Sequence, residues 1–311
     1  MNSTILSYPC LPIFVVNITI FFLVVVAPFH TFLLITLYRR MFEKLPRHKF
    51  FISLSISDNL QITVAGLFAI ISRVFHLRTT STSCQVLRQV VEFNTGITVV
   101  SASTSIIALS VERYIACVYC LRAHSILTNK RVNITLFTMW TLAAACGCSV
   151  LHPSTPNLDP TAISRGLPIG VLYSGTVISS SIVMLVIQIR LYIISRRKLQ
   201  VEPHGTPFGD RKEASNLRRR HLKLAFVASV VVALYVICMV PMASLIAARL
   251  IAADKQPPFI ILRHMFSLLA LANTLVDPFV YCLGMSDTRN ILFREVKRIK
   301  LWFFQLLQIE Q

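Results

Sequence analysis

The sequence predicts an all-α membrane protein: a seven-transmembrane helix bundle followed by a short amphipathic C-terminal helix. Three observations predict it. The 311 residues are 55% hydrophobic and only 14% charged, whereas soluble domains carry about 25% charged residues. Mean hydropathy is +0.67. Apolar stretches long enough to span a bilayer, which takes roughly 20 residues, recur about seven times, and basic residues collect in the gaps between them.

The stretches fall near 12–38, 50–72, 86–112, 133–151, 167–194, 222–248 and 258–284. The first, second, fourth and sixth are clean. The third contains Glu92, the fifth Arg190, and the seventh Arg263 and Asp277. The first run has no basic segment before it and is too long for the apolar region of a signal peptide, so it is expected to be the first span. The predicted organisation is an extracellular N-terminus (1–11), one membrane domain (12–284) and a cytoplasmic helix and tail (285–311). The tail places Ile291, Leu292, Val296, Ile299 and Trp302 among Arg and Lys, the pattern of a helix lying on the inner leaflet and touching membrane lipids.

The formal net charge of +18 is compatible with nucleic acid, but its placement favours a membrane. With seven spans, 24 of the 31 Lys and Arg fall on one side, most densely over 190–223. Positive loops stay cytoplasmic, which puts the N-terminus outside, the C-terminus inside and no nucleic acid among the partners. Asn2-Ser3-Thr4 is then an extracellular glycosylation sequon. The short basic loop at about 195–222 is both an anchor and a candidate partner surface.

Several motifs sit in order on these spans. Leu54 and Asp58 lie in the second. Glu112-Arg113-Tyr114 closes the third, where a charged pair can neutralise itself and reach interfacial water. Trp140 lies in the fourth, Cys238-Met239-Val240-Pro241 in the sixth, and Asp277-Pro278-Phe279-Val280-Tyr281 in the seventh. Together they resemble the rhodopsin-like (class A) G protein-coupled receptors over nearly the whole chain. The resemblance implies a plasma-membrane receptor, not an enzyme, that senses an extracellular ligand and activates a heterotrimeric G protein by helix rearrangement. It implies an activation switch drawn from Glu112, Arg113, Tyr114, Tyr235, Met239, Pro241, Asp277, Pro278 and Tyr281. The resemblance implies that Arg113 pairs with Glu112 at rest. The two prolines remove backbone donors and kink their helices, and in this family such kinks act as hinges.

The chain also departs from the family pattern. Met239 stands where Trp is usual, Tyr235 where Phe is common, and His30 about where the first span normally carries Asn. His221 replaces an acid found in some members, which removes an inter-helix lock and predicts appreciable basal activity. The resemblance implies a sodium-type site at Asp58, Asn273, Thr274 and Asp277, with no other cofactor. Ala102 takes the place of a common serine ligand, so the alternative is a protonated polar cluster without an ion. No cysteine lies in the second extracellular loop; Cys10 and Cys84 are the extracellular pair, and they either bond or remain free thiols.

Thr95 occupies the position, eighteen residues before Arg113, where amine receptors place Asp. The resemblance therefore implies a small ligand other than a classical amine, in a pocket near Glu92, Thr95 and Met239. Three other classes compete. A transporter or channel would show paired repeats, and none is seen. A membrane enzyme would show a nucleophile or metal motif, and none is seen. A non-coupling decoy receptor shares the fold, and the altered sixth-span motif keeps it open.

Overall fold

A computed structural model describes residues 13–41, 46–75, 82–119, 122–149, 162–200, 229–248 and 268–274, with isolated helical residues beyond them. The described residues form helices throughout: α1 (Ile13–Phe21) and α2 (Ala27–Met41) joined by a π turn (Phe22–Val26), α3 (Pro46–Val74), α4 (Thr82–Val118), α5 (Ala123–Ile126), α6 (Asn129–Cys148) and α7 (Ala162–Gln200). A further helix, α8, spans Ser229–Ala248, and 268–274 is helical as well.

Five of these helical segments are long and apolar enough to cross a membrane: Ile13–Thr36, Lys49–Val74, Thr82–Val118, Gly170–Ile194 and Ser229–Ala248. The fourth predicted span, α6, is not among the five. Lys130, Arg131 and Asn133 open it, and three threonines interrupt its apolar face. Those hydroxyls do not remain open: Thr135, Thr138 and Thr141 donate to the carbonyls of Arg131, Ile134 and Phe137 at 2.8–2.9 Å. A polar side chain that bonds its own helix can face an apolar medium at little cost.

Helix ends differ from the predicted boundaries. The third span, expected over 86–112, extends to Thr82–Val118, 37 residues, or about 55 Å at 1.5 Å per residue. The fifth runs over 39 residues. Both exceed a hydrocarbon core of about 30 Å, because a helix continues until backbone or turn chemistry stops it, not where apolarity ends. α6 begins instead at a cap, where the Thr128 hydroxyl accepts the Arg131 N–H at 3.4 Å.

The first span contains a π turn for a local reason. Pro28 has no N–H, and its ring crowds the carbonyl four residues back. The chain widens just before it, and the Ala27 N–H donates to the Phe22 carbonyl, five residues away. This presses Leu23 against α3 at Gly66, where an added Cβ would lie 2.6 Å from the Leu23 Cβ.

The bundle is apolar outside and rich in small polar groups inside. Phe137, Ile182, Val186, Ile189 and Ile237 are exposed, while Ser53, Ser57, Ser101, Ser103, Ser105 and Ser180 are buried. Lipid is as apolar as leucine, so helices associate through close packing and interhelical hydrogen bonds. Ser57 bonds Ser101 at 2.7 Å and Ser53 bonds Ser105 at 3.0 Å, forming a seam between α3 and α4. The Trp140 indole N–H donates to Ser53 at 3.0 Å and ties α6 to the same seam. The main core joins Leu54, Ile106, Met139, Met184, Val231 and Tyr235, one residue or more from each of α3, α4, α6, α7 and α8.

Candidate functional site

Glu112 and Arg113 lie inside α4, not at its end. The helix continues five residues past Arg113, and both residues are buried. The expectation that the pair meets interfacial water is therefore corrected. Burial of two charges is costly unless they pair closely, and Arg113 Nε and Glu112 Oε2 form an ion pair at 2.8 Å. Tyr114, the next residue, is half-buried. On the same side of the bundle, the buried Lys49 ammonium on α3 donates to Asn133 Oδ1 on α6 at 2.9 Å.

Near the opposite end of α4, Thr95 joins a polar cluster with α3. Gln61 Nε2 donates to Thr95 Oγ1 at 3.4 Å, while Gln61 Oε1 accepts from Asn94 at 3.2 Å and Thr98 at 2.6 Å. Glu92 lies one turn further out and is half-buried. A small apolar crevice between α4 and α7 is lined by Thr95, Gly96, Val99, Val100, Leu172, Tyr173 and Thr176. The Tyr173 hydroxyl donates to Met239 Sδ at 3.8 Å. Thr95 and Met239 therefore border one region where three spans meet.

Pro241 does not break its helix: α8 runs unbroken through it. Its missing N–H leaves the helix one hydrogen bond short, at the Ile237 carbonyl. Tyr235, six residues earlier, is 1% exposed. Asp277, Pro278, Tyr281 and His221 lie outside the described residues, as do Cys10 and Asn2.

Asp58, Asn273 and Thr274 are all buried. Ile62, one turn after Asp58, packs with Leu271 of the seventh span. His30 is 1% exposed and its Nε2 lies 2.6 Å from the Thr274 carbonyl oxygen. A carbonyl only accepts, so Nε2 carries the proton. The hydroxyls closest in sequence to the expected cation ligands are bonded elsewhere. Thr274 donates to the Leu271 carbonyl at 2.6 Å, Ser101 meets Ser57, and Ser103 turns toward Tyr235. Ala102 offers no oxygen. A hard cation needs a shell of several oxygens, and Asp277, the fourth residue of the expected set, lies outside the described residues.

Cys84 is fully buried against Phe68, Leu87 and Val91 and is disulfide-bonded. Its partner lies outside the described residues. Cys117, Cys146, Cys148 and Cys238 are free.

A family model described as "7 transmembrane receptor (rhodopsin family)" matches residues 31–281. The chain belongs to this family. Lysophosphatidic acid receptor 3 from Homo sapiens is 27% identical over 185 residues, 57% of this chain and 50% of that receptor. Melanocortin receptor 5 from Rattus norvegicus is 24% identical over 207 residues, 64% of this chain and 57% of that receptor. The chain thus spans about half the length of these relatives. The protein is a rhodopsin-family receptor of the membrane and not an enzyme.

Serine spacing could have announced the α3–α4 seam. "SLSIS" and "SASTS" each place serines four apart, on one helical face. Nothing in the sequence announced that Ser103 and Ser180 meet Tyr235, since those contacts join helices more than fifty residues apart.

Proposed function

We propose that this protein is a plasma-membrane receptor, N-terminus outside and C-terminus inside, that senses a small extracellular ligand and activates heterotrimeric G proteins. The buried Glu112–Arg113 pair carries this reading. It holds the Arg113 cation against a counter-charge, in the half of α4 nearest the loops where Lys and Arg gather in the sequence. Activation of at least one G-protein family without added ligand, in cells with surface expression verified by an N-terminal tag, is the expected result. Silence across all families at full surface level would favour a non-coupling receptor.

Thr95 bonds Gln61 and offers no carboxylate, which argues against a classical amine. The neighbouring crevice is apolar, while Gln61, Asn94 and Thr95 present amide and hydroxyl groups beside it. An amphiphile with a polar head and an apolar tail matches that pairing. Among the relatives, this is closer to the lipid named for lysophosphatidic acid receptor 3 than to the melanocortin peptide.

The polar cluster at Asp58, Asn273 and Thr274 is read as a hydrogen-bonded core without sodium. Replacing sodium by choline in the medium is therefore expected to leave basal activity within twofold, and Asp58→Asn is expected to show the same insensitivity. A sodium-dependent fall that Asp58→Asn removes would restore the cation site.

Cys10 is the proposed partner of Cys84. Cys120 follows the far end of the same helix, and Cys282 follows the seventh span, on the cytoplasmic side of this topology. Cys10→Ser and Cys84→Ser are expected to lower stability equally, by about 2–4 kcal/mol, with the double variant no worse. Non-reducing peptide mapping that finds another partner would overturn the pairing.

A further inference from the structure

Tyr235 is the largest of the fully buried side chains. It packs in the main core with Ile106, Met184 and Val232, where a phenylalanine would fill nearly the same space. Its hydroxyl needs partners, because a buried polar group left without them is costly. It has them on two other helices: Ser103 of α4 at 2.6 Å and Ser180 of α7 at 3.2 Å. The protons can be assigned. Ser103 lies 2.6 Å from the Val99 carbonyl, which can only accept, so the serine donates there. Tyr235 must then donate to Ser103. Ser180 shares its proton between the Val177 carbonyl at 3.0 Å and the Tyr235 oxygen. One hydroxyl thus joins the third, fifth and sixth spans.

Its position in α8 gives the junction a consequence. The hydrogen bond missing at Pro241 weakens the helix one to two turns from Tyr235. The part of α8 that precedes this weak point includes Tyr235 and Ser229, and Ser229 donates to Gln188 of α7 at 3.0 Å. These contacts hold that part against α4 and α7. They coexist with the Glu112–Arg113 pair on α4, and the family resemblance assigns that pair to the resting arrangement, which gives the sign.

We propose that the Tyr235 hydroxyl is a latch, closed through Ser103 and Ser180, that holds the sixth span in the resting arrangement and so sets the basal activity of the receptor. The proposal rests on the G-protein reading above for its signalling readout, but not for its conformational one. Tyr235→Phe keeps the ring and removes the latch. It is expected to raise basal G-protein activation roughly two- to tenfold, the equilibrium effect of one net hydrogen bond. Ser103→Ala is expected to match it, and the double variant to add nothing to either. Ser105→Ala, which breaks only the bond to Ser53, is expected to leave the level unchanged. A purely structural role would lower signal and surface expression together.

A second readout needs no G protein. An environment-sensitive fluorophore is placed by amber suppression at residue 226, where Phe226 is exposed, in receptor reconstituted in lipid nanodiscs. A spectral shift in Tyr235→Phe and Ser103→Ala, but not in Ser105→Ala, supports the latch. If that shift occurs while no variant activates any G-protein family, the latch stands and the coupling reading falls. No shift and no change in basal level, or a basal level that drops at matched surface expression, overturns the latch.

Discussion

Arg113→Ala is expected to reduce G-protein activation at least tenfold at unchanged surface level. In the structure the guanidinium is buried and bonded to Glu112 at 2.8 Å, so alanine removes both the restraint and the group proposed to meet the partner. Glu112→Gln separates the two roles. It keeps the side-chain volume but removes the charge that compensates Arg113. A buried cation left without its counter-charge is strongly destabilised, by about 3–5 kcal/mol, unless it moves toward water. Basal activation is therefore expected to rise in Glu112→Gln and to fall in Arg113→Ala, and the double variant should resemble Arg113→Ala. Measuring all three against wild type in a basal nucleotide-exchange assay, with surface level matched, checks the prediction. A Glu112→Gln variant no more active than wild type would show that the pair does not restrain Arg113.

The second large effect concerns packing. Gly66→Val is expected to cost at least about 1–3 kcal/mol, the usual range for overpacking, and to cut surface expression severely. A Cβ at Gly66 would sit 2.6 Å from the Leu23 Cβ, and the Leu23 side chain follows at 2.9 and 3.0 Å. A Cβ is fixed to its backbone, so no rotamer change relieves the contact; the first span would have to move. Gly175→Ala is the matched control. Nothing lies within 4 Å of its added Cβ, and alanine favours a helix over glycine by about 1 kcal/mol. Melting temperatures of the two purified variants in detergent should move in opposite directions. Equal shifts would mean that the close approach of the first and second spans is not what Gly66 serves.

Much of this protein is legible in the one-dimensional string because the bilayer imposes simple rules. Span length follows from hydrocarbon thickness, so the all-helical architecture could be read from the apolar runs. The motif residues Asp58, Glu112, Arg113, Trp140 and Pro241 could be picked out singly, since a charge, an indole or a proline is conspicuous in an apolar run. The absence of an acid at Thr95 was equally plain.

The environments of those residues were not. That Glu112 and Arg113 are buried depends on how far α4 continues and on what packs against it, and neither is encoded locally. The unbroken course of α8 through Pro241 runs against the local rule that proline removes a backbone donor and kinks or breaks a helix. The π turn before Pro28 follows from a local steric rule, yet its pressure on Gly66 exists only once α3 is in place. The serine hydroxyls make the same point. Their spacing marks a face, but whether Ser101 finds Ser57 or Ser103 finds Tyr235 is decided when three helices rotate into register. The sequence by itself determined that the chain is a helical membrane protein, because entry into lipid depends on each segment's own apolarity. Only the tertiary structure decided which polar groups meet inside, because a hydrogen bond requires two atoms within about 3 Å, a distance set by packing across the whole bundle.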